Sequence, residues 1–290
     1  MQQSLSLVVP TLGRTKQLER LLVSLEAQTA PCFEVILVDQ NADRRVADLI
    51  EGRDWRFPLV RLSRPDERGV SRGRNVGWVH ATSEILMFPD DDCWYPSNLI
   101  ERGLGLLDRL GADLLCGRVA DGQGRSVNGR FAENTASISR RNVWVCQCEG
   151  VTFVKRRLLQ ELGGYDEVVG IGAGTPWQAA EGPDFILRAL QRQARCCYDP
   201  SLFGHHDELN IACPDDWTIR KVRAYARGMG FVLRRHGYGP ISLAYWVSRS
   251  LGNALGNLAK GSPQRARFYF SVALGRIEGW TGRVADGRSF

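Results

Sequence analysis

Short apolar runs alternate with helix-patterned segments along the N-terminal part of this 290-residue chain, and that alternation limits its fold more than any other feature. Residues 4–10 (SLSLVVP), 34–39 (EVILVD), 59–62 (LVRL) and 84–88 (EILMF) read as strands. The first ends at a proline, and the last runs into Pro89 and three aspartates. Between them, residues 15–27 set Leu18, Leu21, Leu22 and Leu25 on one helical face, and residues 44–51 and 72–80 are helical in pattern. Such alternation implies parallel strands joined by right-handed crossovers. In an open parallel sheet, functional groups belong at the carboxyl ends of the strands. Residues 10–14, Asp39 and residues 90–92 all fall at such ends.

Residues 111–150 carry no clear period, whereas residues 150–164 read as a strand and then a helix closed by Gly163-Gly164. Residues 181–193 are an amphipathic helix with Pro183 in its first turn, where proline is tolerated. From Trp217 onward the pattern is helical, over residues 218–236 and 241–280, with breaks at 237–240 and 261–263. The expected class is therefore α/β, a mostly parallel sheet sandwiched by helices, followed by a helical extension.

Charge separates the two parts. Residues 1–213 hold 25 basic and 28 acidic residues, a net of −3, and residues 214–290 hold 13 and 4, a net of +9. A basic tail behind a near-neutral body points to an anionic surface as partner, a membrane before a polyanion. No nucleic-acid module accompanies the charge, so nucleic acid is not expected as a ligand. The eight cysteines lack metal-site spacing, since Cys146 and Cys148 are one residue apart and Cys196 and Cys197 are adjacent. They are expected to be reduced thiols, mostly buried. The start, MQQSLSLVVPTLGR, has no basic lead and too short an apolar run for a signal peptide, so a cytoplasmic location is expected. No apolar run reaches the length of about 18–20 residues that spanning requires. The tail's arginines and aromatics, Trp246, Phe268, Phe270 and Trp280 among them, suit peripheral contact with the inner face of a membrane, packing on the body, or a homodimer contact.

Asp90, Asp91 and Asp92 follow a buried strand directly. Three adjacent carboxylates repel one another unless a cation neutralises them. Hard divalent ions such as Mg²⁺ or Mn²⁺ suit carboxylate oxygens and keep positions open for phosphate. The plainer alternative is a solvated turn that caps a helix over residues 96–107.

The ordered pieces VVPTLGR (8–14), EVILVDQNAD (34–43), GVSRGRNVG (69–77), MFPDDDCWYP (87–96), GGYDE (163–167) and EGPDFILRA (181–189) resemble the family-2 inverting glycosyltransferases of the GT-A fold, over residues 4–210. That resemblance implies a GT-A-like, Rossmann-related catalytic domain over residues 1–213. Its nucleotide-sugar half would span about residues 1–110 and its acceptor half about 111–213, with the basic helical extension at 214–290. It further implies transfer of a sugar from a nucleotide-diphosphate sugar, a UDP-sugar first, to the hydroxyl of a saccharide or lipid-linked saccharide, as in surface polysaccharide or glycolipid assembly.

Residue by residue, Pro10, Thr11 and Arg14 match the loop that wraps the nucleobase. Asp39 matches the acid that pairs with base or ribose, and Arg72, Arg74 and Asn75 match the segment that reaches phosphate or the aspartates. Asp90 and Asp92 match the metal signature, with Asp91 beside them; Asp91 and Asp92 are the alternative pair. His205 or His206 corresponds to a histidine that completes the metal site.

In-line displacement at the anomeric carbon also needs a carboxylate to take the acceptor proton. The matching acidic pair is altered here to Glu181-Gly182, which leaves Glu181 first and Asp184 second as the base. Two other readings stay open: a catalytically silent carbohydrate- or nucleotide-binding protein of this fold, and a nucleotidyltransferase. The latter should carry a glycine-rich phosphate loop after its first strand, where this chain has Pro10-Thr11-Leu12-Gly13-Arg14.

Overall fold

The computed structural model describes residues 5–209 and 211–285, so Ser4, placed by its sequence in the first strand, lies outside the described residues. It divides into two compact units. The first comprises Met1–Arg68, Arg72–Tyr165 and Phe185–Glu208, and the second Gly69–Ser71, Asp166–Asp184 and Leu209–Phe290.

The first unit is built on strands β1 (Leu5–Thr11), β2 (Phe33–Asp39), β3 (Leu59–Ser63), β4 (Ile85–Met87), β5 (Leu114–Ala120), β6 (Ala136–Ser137), β7 (Thr152–Lys155) and β8 (Cys196–His205). Among the described residues they form one mixed sheet of order β3-β2-β1-β4-β7-β5-β8-β6. The β3-β2-β1-β4 part is parallel, as the alternation implies, and β7 runs antiparallel to both β4 and β5. Register along the parallel part sets Thr11 beside Asp39.

Helices α1 (Lys16–Glu26) and α4 (Leu99–Arg109) cover one face, where Leu18, Leu21, Leu22, Leu25, Leu99 and Ile100 join Leu5, Leu7 and Val9 in a single core. Alternation along β1 turns Val8 to the other face, against helix α3 (Val70–Trp78). There Gly77 admits a close approach, because an added Cβ would lie 2.2 Å from Val8 Cγ1. Helix α2 (Arg45–Ile50) follows β2, α5 (Arg156–Leu162) follows β7, and α6 (Glu181–Gln191) precedes β8.

The second unit is dominated by helices α7 (Asp216–Arg235), α8 (Pro240–Ala259) and α9 (Pro263–Thr281). Asp215 caps α7 by accepting the Thr218 N–H at 2.7 Å. The break expected at 261–263 divides the helical stretch 241–280 into α8 and α9, and Gly261 adopts the left-handed conformation there at φ +70°. Helices α7 and α9 meet almost backbone to backbone. An added Cβ on Gly279 would sit 2.0 Å from the Arg227 carbonyl oxygen, one on Gly275 2.3 Å from that of Arg223, and one on Gly230 2.2 Å from that of Arg276. Buried Glu278 ties the crossing by accepting from Arg223 and, at 2.7 Å, from Arg227 Nε. Gly279→Ala is therefore expected to destabilise the protein by about 3 kcal/mol, since the helices can only separate to admit the methyl group. An unchanged thermal melt would contradict this packing.

Candidate functional site

Pro89 ends the chain's run through β4, and the acidic turn follows at the carboxyl edge of the parallel strands. Two arginines serve the three aspartates. Arg74, buried on α3, donates from Nη2 to Asp90 Oδ1 at 3.0 Å. Arg14 bridges the other two, donating to Asp91 Oδ1 and, at 2.8 Å, to Asp92 Oδ2. Thr11 Oγ1 donates to Asp91 Oδ2 at 2.8 Å, so the end of β1 is stitched to the turn. Desolvation pushes the Asp90 and Asp91 carboxyls up, against the pull of Arg74 on the first and of Arg14 and Thr11 on the second. Burial acts upward on Asp92 too, but the hydrogen bond and charge of His206, together with Arg14, outweigh it and hold this carboxyl below its ordinary value.

The structure separates the two histidines. His205 ends β8, stacks on Trp94 with ring centroids 5.3 Å apart, and its Nδ1 lies 2.8 Å from the Asp121 carbonyl oxygen. His206 brings Nε2 to 3.3 Å from Asp92 Oδ1, while its Nδ1 lies 2.6 Å from the Asp207 carbonyl oxygen and 3.0 Å from Asn128 Nδ2. Asn128 Nδ2 donates to the same carbonyl at 2.9 Å. The contact with Asp92 raises the His206 pKa. A ring held on its Nδ1 side in this way turns Nε2 toward Asp92, as the atom that would ligate a metal.

Among the described residues, no group of three or more His, Cys, Asp or Glu side chains is arranged to hold a metal ion. The donor set available is Asp92 with His206, one carboxylate and one imidazole. That set fits an ion that takes its remaining ligands from phosphate oxygens and water, as Mg²⁺ does with one or two carboxylates plus substrate phosphates. Imidazole suits Mn²⁺ better than Mg²⁺.

Several residues expected to face a nucleotide are occupied otherwise. Pro10 and Thr11 lie buried in β1 rather than in a loop; only residues 12–14 form the turn, with Gly13 left-handed at φ +79°. Asp39 is fully buried. Its Oδ2 accepts from Arg61 Nε at 2.8 Å and Nη2 at 2.7 Å, and its Oδ1 from Asn41 N and Nδ2 at 3.0 and 2.8 Å. Asn41 Oδ1 in turn accepts the Gly13 N–H at 2.7 Å, so Asp39 shapes the turn between β1 and α1. Both polar ends of the Asn75 amide meet the backbone of Tyr165, donating at 2.9 Å and accepting at 2.8 Å. Asn75 thereby holds the left-handed Gly163-Gly164 turn, where a Cβ on Gly164 would fall 2.4 Å from Asn75 Oδ1. Arg72 is exposed on α3, one turn face away from buried Arg74.

In the second unit, Ala180 takes the left-handed conformation at φ +75° immediately before α6 and sets the position of Glu181, which is buried. Asp184 is fully buried, and its Oδ1 lies 2.8 Å from His236 Nε2 and 3.8 Å from Arg235 Nε. That contact joins the first turn of α6 to the end of α7. Trp177 stacks on Phe231 of α7, with centroids 4.8 Å apart and planes 8° from parallel.

Residues 6–163 match the family model described as Glycosyl transferase family 2. A relative from Haemophilus influenzae, described as an uncharacterized glycosyltransferase, is 36% identical over 296 residues, covering 92% of this chain and 89% of that protein. The chain belongs to glycosyl transferase family 2. The fold is shared with solved structures at low identity. Staphylococcus aureus TarS 1-349 in complex with UDP matches with a TM-score of 0.57 and 18% identity, over 99% of this chain and 95% of that one. Against the longer TarS structure this chain covers only 54% of the partner. The mannosyltransferase PcManGT from Pyrobaculum calidifontis, in complex with GDP-Man and Mn²⁺, matches with a TM-score of 0.62 and 15% identity, over 99% of this chain and 89% of that one.

This family-2 member braces its acidic turn with residues that sequence reasoning missed. Arg20 of α1 lies over the Trp94 ring at 3.8 Å and donates to the Asp92 carbonyl at 3.1 Å and to Asp207 at 2.8 Å. Arg61, Asn41, Asn128 and Asp207 were equally unmarked. Only Arg61 carried a signal, as a charge inside an otherwise apolar strand.

Proposed function

We propose that this chain transfers a sugar from a nucleoside-diphosphate sugar, a UDP-sugar first, to an acceptor hydroxyl with inversion at the anomeric carbon. The observation that carries this reading is the convergence of Asp92 and His206 Nε2, 3.3 Å apart, with the far side of the imidazole pinned. Asp92 and His206 would hold a divalent ion, Mn²⁺ or Mg²⁺. Such an ion neutralises charge that develops on a departing diphosphate. Arg14 keeps Asp92 ionised and oriented, and the exposed part of its guanidinium is available to phosphate. Arg74 fixes Asp90, and Thr11 fixes Asp91, within the turn whose Asp92 would hold the ion. Asp39 acts by positioning the turn at Gly13, against which the nucleobase would lie.

In the reaction, the acceptor oxygen bonds to the anomeric carbon as the bond to the diphosphate oxygen breaks. The hydroxyl proton passes to a carboxylate, and the nucleoside diphosphate leaves. Glu181 is our choice for that base, because Asp184 is sequestered by His236. The complexes of TarS with UDP and of PcManGT with GDP-Man and Mn²⁺ support donors of this class. A saccharide or lipid-linked acceptor, in surface polysaccharide or glycolipid assembly, completes the reading.

A thermal-shift screen tests the donor class. UDP with Mn²⁺ at about a hundred times its Kd should raise stability by about 2.7 kcal/mol, and UDP without metal by clearly less. No shift with any nucleoside diphosphate or nucleotide sugar would remove the proposal. Binding without turnover of a nucleotide-sugar panel would instead favour a silent binding protein, the reading to which Gly182 in place of an acid lends support.

A further inference from the structure

Helix α8 exposes the apolar side chains that soluble helices normally bury. Ile241 is 85% exposed and Leu255 66%, with Tyr245, Leu251 and Leu258 also exposed, while only Ser250 and Ala254 of the helix are buried. At about 100° per residue these five side chains fall within an arc of about 140°, with Ser250 on the far side of the helix and Ala254 just beyond the edge at Leu258. No charged residue interrupts the arc; Arg249 lies at its flank. The helix has 20 residues, so the face runs about 30 Å. Phe270 of α9 adds another exposed aromatic.

The surrounding charge is one-sided. Between Trp217 and Ile277 the chain carries eleven Lys and Arg and no Asp or Glu. Among them Arg249 and Lys260 are exposed on α8 and at its end, and Arg267 on α9 is exposed but paired with Asp216 at 3.1 Å. A second copy of this chain laid on the same face would bring Arg249 and Lys260 against their like, and α8 carries no acid to answer them. A bilayer with anionic headgroups answers both features, accepting the apolar arc at acyl depth and the flanking cations at the headgroups. We propose that the α8 face docks the protein in plane on an anionic lipid bilayer. None of the helices among the described residues is long and apolar enough to cross one, which fits contact at the surface. The inference stands apart from the transfer reaction and is read without it.

Co-sedimentation of the whole chain with phosphatidylglycerol-containing vesicles, and with vesicles of phosphatidylcholine alone, tests the proposal. Binding to the anionic vesicles should be at least about tenfold tighter and should weaken as salt rises, because counter-ions screen the flanking cations. The double variant Ile241→Glu/Leu255→Glu should lose about tenfold or more of that binding while melting like the parent. The milder Ile241→Ser/Leu255→Ser should lose part of it, which keeps the test open if the charged variant folds poorly. Negligible binding by the parent, or equal binding by both variants, overturns the proposal. So does a parent dimer in solution that the same substitutions convert to monomer, since a second copy would then cover the face.

Discussion

Replacing Asp92 with Asn is expected to lower metal-dependent sugar transfer by about two orders of magnitude or more, with the fold intact. The carboxylate meets Arg14 at 2.8 Å and His206 at 3.3 Å, so the substitution removes charge at the point where carboxylate and imidazole converge. Amide and carboxylate have nearly the same shape, and the turn stays anchored through Asp90 to Arg74 and through Asp91 to Thr11. The histidines sharpen the test. His206→Gln should raise the Mn²⁺ concentration needed for half-maximal rate by about tenfold or more, whereas His205→Gln should leave it unchanged. His205 spends its Nδ1 on the Asp121 carbonyl and its ring on Trp94. Rates of transfer measured against metal concentration decide the matter. Undiminished activity in EDTA, or an Asp92→Asn enzyme as fast as the parent, would overturn the metal assignment.

Glu181→Gln should abolish most turnover, by about two to four orders of magnitude, with nucleotide-sugar affinity nearly unchanged. A base that acts on the acceptor contributes to the chemical step and not to donor binding, so the loss should appear in kcat rather than in donor KM. Asp184→Asn gives the contrast. Its carboxylate is fully buried 2.8 Å from His236, so its replacement should lower the melting temperature more than the rate. Titration calorimetry with the donor and single-turnover rates separate the two effects. If a well-folded Asp184→Asn is the inactive variant and Glu181→Gln the active one, the base assignment is reversed.

Most of the parallel β3-β2-β1-β4 part of the sheet is legible in the sequence, because its strands are short, mostly apolar runs between helix-patterned segments, with Arg61 the one basic residue inside them. Of the remaining strands, β7 is legible as the strand before the helix within residues 150–164, whereas β5, β6 and β8 are not. Strand β8 contains Pro200 and Gly204 and breaks its register with β5 between Cys116 and Arg118, so no period of two survives in it. Strand β6 has two residues and exists only because β8 is there to pair with it. Without β8 the choice between His205 and His206 cannot be made, since adjacent residues on an extended chain point to opposite sides.

The acidic cluster stands out in the sequence as a candidate because its three adjacent charges need an explanation. The roles of Asp39 and Asn75 do not, since both depend on partners far along the chain. Arg61 meets the first from the neighbouring strand, and the backbone of Tyr165 meets the second ninety residues away. The helical extension is legible with its breaks, since Gly237 and Gly261 take positive φ where the pattern is interrupted.

Helices α7 and α9 mesh through glycine against carbonyl, with Glu278 locked between two arginines. Teeth of this kind engage at one setting only, because sliding either helix by a residue would drive a side chain into the facing backbone. The pair therefore behaves as a stiff plate, and α8 packs chiefly against α9 of that plate. Whatever meets the α8 face meets a shape fixed during folding, so no segment has to become ordered at the moment of contact and the encounter is spared that loss of entropy. Attachment and release can then be adjusted by single surface side chains, through contact area and charge, without disturbing the rest of the molecule.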